Sequence, residues 1–136
     1  MIFVPLFRKL KITVKKFSDL ETSVYLCTME RRILYYKHYF PDFFQALDTG
    51  AKRKVAYVLD MLKIQQRLSQ NFVKHIREGV FELRAQHDGN IYRVFFIFDG
   101  NDIVMLFNGF QKKTQKTPQN EIEKAIRLKN EYYAGK

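Results

Sequence analysis

The chain predicts an α+β domain: a small twisted antiparallel sheet with two helices before it and one C-terminal helix. Three observations carry this. Strand-like runs separated by Asp-Gly turns fill residues 80–110, apolar residues at helical spacing precede them, and a further helical stretch follows Pro118. At 136 residues and 46% hydrophobic, with thirteen Phe and eight Tyr, the chain can bury the core of one such domain.

Residues 1–28 read differently from the rest. FRKLKITVKKF alternates only weakly, SDLETS is turn-like, and no strong period joins them. They are expected to be an N-terminal extension, dispensable for folding or the product of an upstream start, with the domain proper at residues 29–136, from Met29. RILYYKHYF, residues 31–39, is rich in aromatic and branched residues and reads as a first strand that Pro41 stops. PDFFQALDTG then suggests a short helix with Pro41 in its first turn and Gly50 at its end. In AKRKVAYVLDMLKIQQRL, residues 51–68, Val55, Val58, Leu59 and Leu62 form one apolar face and the basic residues lie outside it, which makes a second helix.

After the loop LSQNFVKHIREG come VFELRAQ, IYRVFFIF and IVMLFNGF, three strands joined by HDGN and DGND. Asp88-Gly89 suits a two-residue hairpin turn, which pairs His87 with Asn90 and Arg84 with Arg93. Centring the next turn on Gly100-Asn101 pairs Phe98 with Ile103 and Arg93 with Asn108. Period-two alternation then puts Phe81, Leu83, Ala85, Tyr92, Val94, Phe96, Phe98, Ile103, Met105 and Phe107 on a face toward the first two helices. The other face carries Glu82, Arg84, Gln86 and Arg93 at one end and Phe95, Ile97, Val104 and Leu106 at the other. The last helix, QNEIEKAIRLKNEYY, has acids early and bases later, as the helix dipole favours. Its Ile122, Ala125, Ile126 and Lys129 share a face that would cover that apolar end.

Charge narrows the function. Twenty-four Lys and Arg against fourteen Asp and Glu give a net charge of +10, which favours a polyanionic partner such as nucleic acid. The lone Cys27 excludes an internal disulfide framework and a CxxC site and suits a reducing cytoplasm. MIFVPLFRKLK is a poor signal peptide, because its short apolar stretch holds Pro5 and precedes the charges. No window approaches the roughly 18 apolar residues of a membrane span. His38, His75 and His87 are far apart and make no metal-ligand spacing, and no nucleotide-binding or serine-hydrolase motif occurs. No metal and no cofactor are expected, and His87 reads as a turn residue.

Two arginines facing each other across a strand pair oppose stability, unless a bound phosphate completes them or Glu82 and solvent neutralise them. FQKKTQKTP, residues 110–118, follows the last strand with three lysines and no acid. Lys112, Lys113 and Lys116 can therefore join the Arg84–Arg93 pair in one basic RNA-binding site, with Phe110 as a stacking surface, or form an ordinary solvated loop. On RNA the neighbouring 2′-hydroxyl can attack the phosphorus, so orientation and charge stabilisation suffice, with Lys74 or Lys113 moving the proton.

FVKHI, VFELR, IYRVFFIF, IVMLFNGFQKKTQKTP and the closing EIEKA together resemble the RelE/ParE toxin superfamily, in particular its HigB-like branch, which includes phage-derived proteins. The resemblance runs from Arg31 to Tyr133. It implies a RelE-like fold and the toxin of a type II toxin-antitoxin pair, an mRNA endoribonuclease acting in the ribosomal A site. The implied partners are messenger RNA and a cognate antitoxin, a small helix-turn-helix DNA-binding protein. By the same resemblance Arg93 matches the strand arginine that stabilises the transition state, Arg84 a neighbouring basic position, and Lys113 the basic residue after the last strand. Many RNA-cleaving relatives carry Tyr or His soon after that strand or near the carboxyl end. Here Thr117-Pro118-Gln119 stands at the first place and only Tyr132 and Tyr133 near the second, which leaves the general acid or base unassigned. A ParE-like inhibitor of DNA gyrase and a non-catalytic RNA-binding module are the alternative readings.

Overall fold

The computed structural model describes residues 30–136 apart from positions 66 and 115, and before them the backbone of three short strands, β1 (Ile2–Phe3), β2 (Thr13–Lys16) and β3 (Ser23–Leu26). β2 pairs with β3, while β1 lies antiparallel to β4 (Arg32–Tyr35). The rest of the expected extension, Cys27 included, falls outside the described residues. From β4 the chain runs through α1 (Tyr39–Gln45), α2 (Thr49–Ile64), β5 (Val73–Arg77), β6 (Val80–His87), β7 (Asn90–Asp99), β8 (Ile103–Lys112) and α3 (Gln119–Ala134). The architecture is the expected α+β one, two helices before the main strands and one after. The strands lie in the order β4, β8, β7, β6, β5, with β1 outside β4.

The sheet is not wholly antiparallel. β4 lies parallel to β8, with Ile33 opposite Val104 and Leu34 opposite Met105, so α1 and α2 belong to a long crossover. β4 is also four residues long, not nine. Lys37 turns the chain at φ 55°, and Tyr39 and Phe40 already belong to α1, with Pro41 in its first turn. Gly50 does not end a helix. Asp48 caps α2 by accepting a hydrogen bond from the Ala51 N–H at 2.8 Å, which makes Gly50 the second residue of that helix. The His87 ring lies against it: a Cβ would come 2.1 Å from Nε2, so a larger residue at this position would displace the ring. α2 also ends at Ile64, short of Leu68.

Two hairpin turns explain β5 and β6. Glu78-Gly79 and Asp88-Gly89 each place both central residues at positive φ, the backbone of a type I′ turn. The first of these converts part of the expected loop, VKHIR, into strand β5. Its basic and exposed side chains suit an edge strand and mask the strand pattern.

The β6–β7 register is the expected one, His87 opposite Asn90 and Arg84 opposite Arg93. The β7–β8 register is not. A three-residue loop at 100–102 pairs Asp99 with Ile103 and Phe98 with Val104, one residue away from expectation. Since strand side chains alternate, that single step exchanges the faces of β8. Val104 and Leu106 join Ile33, Phe40, Val55, Val58, Leu59 and Leu62 in the core beneath α1 and α2. Met105 and Phe107 join Phe95, Ile97 and Ile122, Ala125, Leu128 and Tyr132 of α3 in the other core. Ile126 is only half-buried, and Lys129 instead donates through Nζ to the Glu78 carbonyl at 2.6 Å. A bulge then sets Phe107 and Asn108 of β8 opposite Phe95 alone, so Arg93 pairs with Phe110 instead of Asn108. The second step restores the alternation, and Phe110 and Lys112 return to the face of Arg93.

Past the bulge, Gly109 meets α1. A Cβ there would sit 2.4 Å from the Phe43 ring, and the ring is held between the helix and the sheet. Gly109→Ala is expected to lower the unfolding free energy by about 1–3 kcal/mol, the usual range for overpacking, with urea denaturation as the measure. Unchanged stability would mean that β8 runs in another register.

Candidate nucleic-acid interface

Beyond the N-terminus of α3 this face of the sheet turns from apolar to charged. There Arg84 and Arg93, cross-strand partners on one face, share one carboxylate. Glu82, two residues before Arg84 and 1% exposed, places Oε1 at 3.2 Å from Arg93 Nε and 3.4 Å from Arg84 Nε. Neither contact is aligned as a hydrogen bond, so the attraction is Coulombic, strengthened by burial. Glu82 Oε2 accepts a hydrogen bond from the Thr117 hydroxyl at 3.2 Å, which ties the basic loop after β8 to the site.

Each guanidinium has a second anchor. Arg93 Nη1 donates to the Tyr92 carbonyl and Arg84 Nη1 to the Gln70 carbonyl, both at 3.0 Å. Nη1 of each arginine is thus hydrogen-bonded while Nε lies buried beside Glu82, and the donors each has left to offer an anion are on its Nη atoms. Arg93 is 6% exposed, and its acidity is raised by burial, opposed by Glu82 and reinforced by Arg84. Arg84 keeps 29% of its side chain exposed and forms the accessible half of the pair.

Lys112 completes the cluster. Its pKa is driven down, first by burial and then by Arg93, with Arg84 and Lys74 adding and Glu82 opposing. Lys74 lies on β5 directly across from Glu82, exposed. One carboxylate therefore faces four cations, and the site stays electropositive. Phe110, opposite Arg93, is already tilted against Phe95 at 5.6 Å between centroids and is half-buried, so only part of its ring is open to a base. Lys113 and Lys116 are exposed on the segment leading from β8 to Thr117. The fold thus brings together Arg84, Arg93, Lys74 and Lys112 and lines up Phe110 beside them.

Two contributors escaped the sequence. The carbonyl of Gln70 and the helix residue Lys54 are far from β6 in the chain. Yet Lys54, Asn71, Phe72, Arg84, Gln86 and Arg93 line one recess of about 460 Å³. A larger recess, about 510 Å³, lies at the opposite end of the sheet around Phe98 and Asp102. Its lysine, Lys63, is paired with Glu30 at 2.6 Å, so it offers an anion less.

The histidines do not converge. His38 pairs with Asp42, His75 packs on Phe81 and His87 on Gly50, and no cluster of three or more metal-ligating side chains occurs among the described residues. Tyr132 is also distant from the arginines. It donates to Asp99, six residues along β7 from Arg93 and therefore roughly 20 Å away at strand rise. Burial and Asp99 push the Tyr132 pKa up, and Lys136, 2.7 Å from Asp99, helps hold that carboxyl below its ordinary range. This group fastens the end of α3 to β7. No helix among the described residues is long and apolar enough to cross a membrane.

The family model for phage derived protein Gp49-like matches residues 42–130, well over half of the chain, and the chain belongs to that family. The family is a toxin-like one within the RelE/ParE-like superfamily, compatible with the toxin of a toxin-antitoxin pair and with an antitoxin as partner. Among curated proteins none matches the chain.

Removing the shared carboxylate leaves a buried guanidinium without its counter-charge. Glu82→Gln is expected to cost about 3–5 kcal/mol in urea unfolding, the range for breaking a buried ion pair. Thr117→Ala, which removes one ordinary hydrogen bond, is expected to cost about 0.5–1.5 kcal/mol. Equal losses in the two variants would contradict a charge-based role for Glu82.

Proposed function

We propose that this member of the Gp49-like family is the toxin of a type II toxin-antitoxin pair and acts as a ribosome-dependent mRNA endoribonuclease. The observation that carries the reading is the anchored arginine pair with Lys112 beside it: two oriented guanidinium groups and a lysine whose proton is loosened by burial and by its cationic neighbours. A phosphodiester is the anion that uses both features.

In this reaction the RNA 2′-oxygen forms a bond to the adjacent phosphorus and the bond from phosphorus to the 5′-oxygen breaks. The products are a 2′,3′-cyclic phosphate and a free 5′-hydroxyl. Arg84 and Arg93 stabilise the charge that gathers on the non-bridging oxygens. Lys112, in its neutral form, takes the 2′-hydroxyl proton, and a water delivers one to the leaving oxygen. Lys74 and Lys113 add positive charge along the path, while Lys116 and the open part of Phe110 hold flanking nucleotides. An antitoxin that covers this face would silence it.

The test is mRNA integrity in a translating extract. Wild-type protein is expected to cut mRNA within codons, and Arg84→Gln to slow cutting by about 100- to 1,000-fold, as loss of one oxyanion-stabilising donor does. Arrested growth with intact mRNA and inhibited gyrase supercoiling would overturn the proposal in favour of a ParE-like toxin.

Lys112 also links function to stability. Its folded-state pKa lies below its unfolded one, so the unfolded chain binds the proton more tightly, and stability rises with pH between the folded value and about 10.4. Below the folded value both states are protonated and the penalty is fully present. Lys112→Met is therefore expected to raise the melting temperature at pH 7 while abolishing cleavage, checked by calorimetry and the same cleavage assay.

A further inference from the structure

The recess at the arginine pair continues past the sheet. β5 pairs with β6 only as far as Leu83, so beyond the bond from Arg84 N–H to the Phe72 carbonyl the edge of β6 has no strand beside it among the described residues. The recess crosses that edge, with Arg84 and Arg93 on the side of α3 and Lys54 of α2 on the other. Lys54 Nζ in turn sits 5.3 Å from the centre of the Tyr57 ring, one helical turn on. Tyr57 is 54% exposed, a large aromatic surface left open to water on the described residues. This part of α2 is basic: Lys52, Arg53 and Lys54 are consecutive, and Asp60 is the one acid between Thr49 and Ile64.

We propose that Lys54 and Tyr57 form an outer subsite for a single-stranded RNA segment next to the scissile phosphate, an inference that rests on the RNA reading above. The strand leaves the arginine pair over the β6 edge, Lys54 takes the next phosphate, and Tyr57 stacks the base beyond it. A single strand fits because its bases are free to stack on an aromatic ring, whereas a duplex hides their faces. Lys54 over the ring holds Tyr57 facing outward, so little ordering remains for the base to impose. Charge complementarity selects this occupant: Lys54 extends the cations of the recess, Arg84 and Arg93, onto α2 and suits a phosphate backbone.

The experiment uses the full chain and a fluorescein-labelled single-stranded RNA of about ten nucleotides, within the span such sites cover, read by fluorescence anisotropy. Tyr57→Ala is expected to weaken binding by about 5- to 100-fold, the range for one base on one ring. Tyr57→Phe is expected to bind like wild type, and both variants to keep the wild-type melting temperature because the ring is exposed. Lys54→Gln is expected to reduce the slope of log affinity against log salt by about 0.7, one phosphate of a single strand. If Tyr57→Ala binds like wild type while Arg84→Gln loses binding, the outer subsite is wrong and the RNA reading stands. If the wild-type chain does not bind the RNA, the RNA reading falls and the subsite with it.

Discussion

The site depends on one buried carboxylate. Two guanidinium groups brought face to face by strand pairing repel each other, and the fold holds them because Glu82 lies between them with its Oε1 against both Nε atoms. The carboxylate neutralises one charge and leaves the cluster positive. It also occupies the inner side of each guanidinium while backbone carbonyls occupy a second nitrogen. On the proposed reading, stability and anion binding use different atoms of the same arginines, which removes much of the conflict between a folded core and a charged site. Burial of Glu82 makes the arrangement sensitive, since either partner left alone would be an uncompensated charge in a poorly solvated place.

The sheet delivers the rest through a pair of register steps. The loop at 100–102 shifts β8 by one residue and sends Met105 and Phe107 toward α3, while the bulge at Phe107–Asn108 shifts it again and brings Phe110 and Lys112 back to the face of Arg93. The bulge also lets Asn108 donate to the carbonyl and carboxylate of Glu121, which fixes where α3 begins. α3 therefore covers Phe95 and Ile97 but stops short of the arginines, and the boundary between core and site lies at the bulge.

Legibility followed the physics of each element. The β6–β7 hairpin could be read because Asp88-Gly89 demands one turn geometry, and that turn alone aligns Arg84 with Arg93. The faces of β8 could not, because alternation reports a period and not a phase. A three-residue loop and a bulge each shift the phase while leaving IVMLFNGF looking like any buried strand. β5 was hidden by its exposure, since VKHIR carries the charges an edge strand needs. Gly50 read as a helix stop, although its role is steric, beneath the His87 ring, and Asp48 is the residue that marks the helix start. Of the site, the arginine pair and its neutralisation by Glu82 were both readable as alternatives. The lowered pKa of Lys112 and the contribution of Lys54 required three-dimensional neighbours.

The central claim is that Arg84 and Arg93 keep their inner nitrogens on the protein and present the outer ones together to one phosphate. Nitrogen-15 NMR of the arginine Nε–Hε groups during titration with single-stranded RNA tests it most directly. Both resonances are expected to shift together, saturate at the same RNA concentration, and remain protected from solvent exchange by burial. Shifts confined to other arginines, with Arg84 and Arg93 unmoved at saturation, would contradict the account.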